Sequence, residues 1–183
     1  MRIITGTHRG RRINPPTGLP VRPTTDLAKE SLFNIFNTFL EFSEMEVLDL
    51  FAGTGNITFE FASRGCKEVV AVDNNLKCVS FISKVIEELG FINIKVMKAD
   101  VFSFLFRSQK KFDLVFADPP YDMEHADELP DKILVSTLKP EGWLILEHGP
   151  TSDFSSHPAF HHTRNYGKVH FTFFQLTSAH QSN

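Results

Sequence analysis

Four acidic residues in this 183-residue chain each follow an apolar run: Asp49, Asp73, Asp100 and Asp118. Gly53-Thr54-Gly55 follows the first, and Pro119-Pro120-Tyr121 follows the last. A strand that breaks into a glycine turn and then a helical pattern opens a nucleotide site in an α/β sheet, because glycines let backbone approach a ligand closely. A dinucleotide fingerprint would want G-x-G-x-x-G, with backbone N–H groups facing pyrophosphate. Here the third glycine position is Thr58, and the turn is introduced by the Asp49 carboxylate, which repels phosphate and suits a cation. S-adenosylmethionine carries an ammonium and a sulfonium and has no phosphate. This charge pattern therefore favours a methyl donor over a nicotinamide dinucleotide.

Roles for the individual residues follow. Asp49, Phe51, Gly53 and Gly55 are expected to form the first wall of the cofactor site. Asp73 lies twenty residues after Gly53, the offset at which a carboxylate meets ribose hydroxyls, with Asn74 beside it. Asp100 either accepts from the adenine amino group, near the backbone N–H of Val101, or caps the next helix, and the two are compatible. Glu60 on the first helix reads as structural. Asp118-Pro-Pro-Tyr121 is the most specific signal. The lone pair of an exocyclic amine is delocalised into its ring, so methylating it needs acceptors that take the N–H hydrogen bonds and turn the lone pair outward. Asp118 and the Pro119 carbonyl, held in a stiff turn, suit that task. Tyr121 can stack on a base removed from its own stack.

The surrounding pattern alternates strand and helix. Strands are expected at 47–52, 69–73, 94–98, 112–117 and 143–147, with helices at 57–63, 76–89, 101–106 and 127–138. Such alternation implies a mostly parallel sheet with crossover helices on both faces. Beyond Pro150 a polar, His-rich loop leads to 163–166, Gly167 and 169–176, an antiparallel terminal hairpin. Ahead of the sheet, Arg22-Pro-Thr-Thr-Asp26 reads as a helix start capped by Thr24 or Thr25. The leading helix shows Ala28, Leu32, Ile35, Phe36, Phe39 and Leu40 on one face, with Lys29 and Asn34 off it.

The net charge of −3 conceals an asymmetry. Residues 1–29 hold Arg2, Arg9, Arg11, Arg12, Arg22 and Lys29 against Asp26 alone, a net +5, so the remainder carries −8. With Gly6, Gly10 and Pro15-Pro16 as punctuation, this is a basic hairpin and turn that can contact phosphates. Arg9, Arg11, Arg12 and Arg22 are its candidate phosphate contacts, and RNA contacts under the family resemblance given below. The arm precedes the sheet and is expected to act independently of the cofactor-binding acids. The length suits one domain, with the arm at 1–23, the leading helix at 24–41 and the catalytic core at 46–177. Phe supplies 19 of the aromatics, most of them expected in the core. The two cysteines lack metal-type spacing and read as reduced cytosolic thiols. The scattered histidines, with His157, His161 and His162 in a surface loop, point to no metal, and no segment reads as a signal peptide or membrane span.

Across nearly its whole length the chain resembles the RsmD-type bacterial 16S rRNA guanine-N2 methyltransferases, which are Rossmann-like class I enzymes. The likeness runs through Arg2-Ile-Ile-Thr-Gly6, Arg9-Gly-Arg-Arg12, Arg22-Pro-Thr-Thr-Asp26, Glu30-Ser-Leu-Phe-Asn34, Asp49-Leu-Phe-Ala-Gly-Thr-Gly55, Ser63-Arg-Gly65 and Asp118-Pro-Pro-Tyr121. It implies N2-methylation of one guanine, of the guanine-966 type, in the small ribosomal subunit by a cytoplasmic monomer using S-adenosylmethionine. Thr54, Asp73 and Leu27 depart from the serine, glutamate and basic residue frequent in that family. Alternatives are a DNA adenine or protein glutamine methyltransferase and a non-catalytic RNA-binding or ribosome-assembly factor. A DNA enzyme would need a target-recognition domain, for which 183 residues leave little room, and a glutamine methyltransferase would carry a helical substrate domain before the sheet and Asn at the Asp118 position. Intact Asp49, Gly53, Gly55, Asp73 and Asp118 oppose the third.

Overall fold

The strand Glu46–Leu50 (β1) is the hinge of the sheet, and its side chains alternate between two cores. Val47 joins a cluster on one face, while Leu48 and Leu50 join a second cluster on the other. This period-2 alternation follows from the pleat. In the computed structural model, which describes residues 1–19 and 26–175, β1 pairs in parallel with both Glu68–Asp73 (β2) and Phe112–Ala117 (β4). Ile94–Lys98 (β3) pairs with β2, and Leu138–His148 (β5) with β4, again in parallel. The hairpin Phe160–Tyr166 (β6) and Val169–Gln175 (β7) adds antiparallel strands, giving seven in the order β3-β2-β1-β4-β5-β7-β6. The expected fold class holds.

Helices Asp26–Phe36 (α1), Asn56–Ser63 (α2) and Leu76–Leu89 (α3) contribute to the first core, with Leu32, Phe33, Phe36, Phe61 and Ile82 fully buried. Val101–Arg107 (α4) and Leu129–Ser136 (α5) cover the opposite face through Leu105, Leu129 and Ile133. The abundance of phenylalanine is explained here: Phe33 meets the rings of Phe36, Phe42 and Phe61, and the Arg64 guanidinium lies 4.5 Å over Phe33. No helix among the described residues is long and apolar enough to cross a membrane.

The basic arm is a hairpin, as its glycines suggest. Arg2 bridges Arg12, Ile3 N–H donates to Arg11 and Ile13 N–H to Met1, and Ile3 and Ile13 face the core. Glu60 fastens it, accepting from the N–H groups of Ile4 (2.8 Å) and Thr5 (3.1 Å), so the structural reading of that residue is correct in kind. Gly6 is required where the hairpin crosses the end of α2. At φ +86°, any Cβ there would sit 1.8 Å from the Ser63 carbonyl oxygen.

Four expectations need correction. Lys29 is not off the apolar face of α1 but 1% exposed on it, at the head of the stripe 29-32-33-36, because Glu60 meets its charge from α2 at 3.6 Å. Phe39 lies past the end of α1 and is 40% exposed. The helix expected to reach Leu138 ends at Ser136: Thr137 caps it, and Leu138 already pairs with Phe112 as the start of an 11-residue β5. Pro140 and Gly142 act as turn punctuation inside it: the register passes from Leu138 to Trp143 while β4 advances only from Phe112 to Leu114, so residues 139–142 bulge out with Glu141 at φ 60°. His161 and His162 are in β6 rather than a loop, and the His162 ring stacks 4.3 Å from Phe173. Burial pushes the His162 imidazole down to about 4. Arg22, Thr24, Thr25 and Leu176 lie outside the described residues.

Candidate active site

Strand order reverses between β1 and β4, and Leu50 stands opposite Ala117 where both strands end. Diverging connections leave a crevice there, the usual ligand position in an open α/β sheet. The crevice is a cavity of about 800 Å³, within the range of small-molecule sites. Its wall brings together every residue expected of the cofactor and amine sites except Gly55: Asp49, Phe51, Gly53, Asp73, Asn74, Asp100, Val101, Asp118, Pro119 and Tyr121.

The loop after β1 is held in an uncommon shape. Phe51, Gly53 and Gly55 all have positive φ, at 61°, 54° and 77°. For a bulky residue such as Phe51 this is strained, a cost found preferentially at functional sites. Gly55 does not line the cavity but caps α2 from behind, where a Cβ would come 2.7 Å from the Phe59 ring. Asp73 stitches this loop to the one after β2: one carboxylate oxygen accepts from Gly53 N–H at 2.7 Å, the other from Asn75 N–H at 2.8 Å. A carboxylate has about four acceptor positions, so capacity for two ribose hydroxyls remains. Asp100 caps α4, accepting from Ser103 N–H at 2.8 Å, and lines the cavity as well.

The electrostatics are one-sided. Asp49, Asp73, Asp100, Asp118, Asp122 and Glu147 face this cavity, and no Lys or Arg does among the described residues. Burial pushes Asp49 up to about 7, against the hydroxyl of Thr58 that donates to it, and repulsion from Asp73 adds to the rise. Asp118 is raised well above the ordinary carboxylate range, first by burial, then by Glu147 and Asp49. Such a lining resists phosphate and suits a cationic ligand, whose charge would relieve the repulsion.

Two residues escaped the sequence reading. Thr58, fully buried, holds Asp49 from the position where a dinucleotide site has glycine. Glu147 is the penultimate residue of β5, one beyond the Ala117–Leu146 pair; it is 4% exposed and accepts from the Tyr121 hydroxyl at 3.4 Å. The available signal was weak: the apolar run expected as strand 143–147 stops at Glu147, with no motif beside it. Tyr121 is 50% exposed at the mouth, its ring lying where a Cβ on Gly149 would touch it at 3.4 Å. Pro120 O accepts from Met123 N–H at 2.9 Å, while no backbone N–H among the described residues bonds the Pro119 carbonyl.

Arg2, Arg9, Arg11 and Arg12 are exposed on the hairpin, and no carboxylate among the described residues pairs with them. The first hairpin strand runs along α2 from its pocket end, where Met1 meets Thr54, to its far end, where Thr7 meets Ser63. Arg2 and Arg12 therefore flank the pocket end, and Arg9 lies about a helix length away, roughly 12 Å. Leu27 is 75% exposed.

A mostly parallel seven-stranded sheet ending in an antiparallel hairpin, with acids closing the strands around its switch point, defines a class I methyltransferase fold. Residues 1–175 match the family described as "Conserved hypothetical protein 95". The chain belongs to this family, that of the RsmD-type rRNA methyltransferases. It is 30% identical over 147 residues to ribosomal RNA small subunit methyltransferase D of Escherichia coli (strain K12), covering 80% of this chain and 71% of that protein. The protein of the same name from Haemophilus influenzae is 32% identical over 148 residues, covering 79% and 73%. Among solved structures, the Escherichia coli protein yhhF superposes with a TM-score of 0.84 at 26% identity, over 97% of this chain and 98% of that one.

Proposed function

We propose that the chain transfers a methyl group from S-adenosylmethionine to the exocyclic N2 amine of a guanine in 16S rRNA of the small ribosomal subunit, at the position-966 type of site. The observation that carries this reading is the juxtaposition of Asp118-Pro-Pro-Tyr121 with a cavity walled by carboxylates. The bound cofactor supplies an electrophilic methyl on a sulfonium. Asp49 and its neighbours balance the positive charge, and Asp73 accepts from ribose hydroxyls. Asp100 and the Val101 N–H meet the adenine. Tyr121, braced by Glu147, stacks on a guanine taken out of its stack. Asp118 and the Pro119 carbonyl accept the amine hydrogens, directing the nitrogen lone pair at the methyl. As the nitrogen becomes positive, Asp118 stabilises it and takes up the proton lost. The substrate assignment is supported by the rRNA methyltransferases among the relatives and by the basic hairpin beside the pocket. A monomer working in the cytoplasm on the small subunit fits this reading.

The raised Asp49 makes cofactor binding pH-dependent. A proton on this carboxyl competes with a cationic ligand. Affinity should fall as pH drops through about 7, approaching about tenfold per pH unit. Stability runs the other way. The carboxyl sits above its ordinary 3.8, so the stability of the unliganded fold is lost as pH rises through about 7. Asp49→Asn should therefore melt higher than wild type at pH 8 and bind S-adenosylmethionine more weakly. Calorimetry and melting between pH 6 and 8.5 check both signs.

RNA binding should rest on phosphate contacts by the arm, which position RNA without reading bases. Neutralising Arg9, Arg11 and Arg12 together should remove up to about three released ions and flatten the salt dependence of RNA binding accordingly. Activity on small subunits should fall, increasingly so as salt rises. Normal methylation of subunits by the triple variant at physiological salt would remove these three arginines from the RNA interface. Arg22, the fourth candidate, lies outside the described residues.

A further inference from the structure

Lys29 is a buried cation to which the chemistry above gives no task. It is 1% exposed, and burial holds its ammonium below the usual value even though Glu60 pulls the other way. Charge in a core carries a desolvation cost, and an apolar side chain of like volume is often as stable or more so. What the lysine has that an apolar residue would lack is a donor aimed at two elements at once. Its Nζ donates to the Arg2 carbonyl in the hairpin at 2.6 Å and to Oδ1 of Asn56 at 2.8 Å. Asn56 opens α2 and lines the cavity. A second contact runs beside the first: the hydroxyl of Thr54, also in the cavity wall, donates to Met1 Sδ at 3.5 Å. The same hairpin carries Arg2 and Arg12 opposite one another, a like-charge pair that weakens a two-stranded ladder. The arm is thus built against its own repulsion; besides its bonds to Glu60 and Ser63 along α2, it has two anchors in the cavity wall, at Thr54 and, through Lys29, at Asn56. The arm still touches none of the expected cofactor-binding acids, but these contacts reach two residues beside them.

We propose that Lys29 is a positioning residue that couples the N-terminal hairpin to the cofactor loop, so that filling the pocket orders the Arg2–Arg12 pair and an RNA phosphate on that pair tightens the pocket. The proposal rests on the reading of the cavity as the cofactor site. Such coupling is reciprocal: each ligand changes the other's affinity by the same factor.

Hydrogen exchange on the full chain, with and without saturating S-adenosylhomocysteine, tests it. The amides of Ile3, Gly10 and Ile13, which close the hairpin, should slow severalfold on saturation in the wild type and stay unchanged in Lys29→Met. The Gly53 amide, bonded to Asp73, should slow in both proteins. A purely structural lysine would instead loosen the hairpin equally with and without ligand. Lys29→Met leaves Glu60 paired with Arg64 at 2.9 Å, which favours a folded variant. If it does not fold, Lys29→Gln, too short to reach both acceptors, serves for the same comparison. In parallel, small-subunit rRNA should bind more tightly to the saturated wild type and show no such gain with the variant. Hairpin amides that ignore saturation in the wild type, or that respond equally in the variant, would overturn the proposal. Failure of the wild type to bind S-adenosylhomocysteine at all would instead remove the cofactor reading, and this inference with it.

Discussion

Replacing Asp118 with alanine is expected to cut methyl transfer by on the order of 10²-fold or more while cofactor affinity stays within a few-fold of wild type. The loss belongs to the reacting state, because Asp118 meets the amine only as it is oriented and becomes positive. Stability should move the opposite way. Asp118 is held well above the ordinary carboxylate range by burial, Glu147 and Asp49, so removing it relieves repulsion in the unliganded pocket. A variant that is less active and melts higher is the signature of a group kept for chemistry. Asp118→Asn, which keeps an acceptor, should retain more activity than the alanine variant. Single-turnover assays with melting curves would check the pattern. Wild-type rates in both variants would reduce the turn to a structural element.

Asp73→Ala should weaken S-adenosylmethionine binding by two orders of magnitude or more, measured by calorimetry. Each lost charge-assisted hydrogen bond to ribose contributes about 1.5–3 kcal/mol. Beyond that direct loss, the substitution leaves the N–H groups of Gly53 and Asn75 without their acceptor and frees the loop that shapes the pocket. Because these two backbone bonds are lost, a measurable drop in melting temperature should accompany the lost affinity. Asp73→Asn separates the effects, since one oxygen can still accept from Gly53 N–H while the charge is gone. Unchanged affinity in both variants would remove Asp73 from the site.

The parts of this molecule visible in the sequence are those written locally. The boundaries of β3, β4 and α3 follow from apolar periodicity and from Asn75, which caps α3 by accepting from Lys77 N–H at 2.9 Å. The glycine turn and the acids that end β1, β2 and β4 announce the pocket, because each strand in a parallel sheet delivers its last residue to the same edge. What stayed hidden depends on distant partners. Lys29 looks solvent-facing until Glu60 arrives from α2. The early start of β5 at Leu138 needs Phe112 of β4, and the strand character of His161 and His162 needs β7. Glu147 carries no flanking motif, and its nearness to Asp118 appears only when β4 and β5 pair. The contact between arm and cofactor loop joins Met1 to Thr54, a span no local pattern encodes.

The most direct measurement is methylation of small ribosomal subunits taken from cells that lack this gene. Purified protein and S-adenosylmethionine with a labelled methyl group are added, and the rRNA is digested in parallel to nucleosides and to oligonucleotide fragments for mass spectrometry. The expected product is N2-methylguanosine at a single 16S rRNA position, absent with the Asp118→Ala protein and absent from large subunits. Label on adenine, on protein glutamine or on no substrate at all, from wild-type protein that binds the cofactor, would contradict the proposed function.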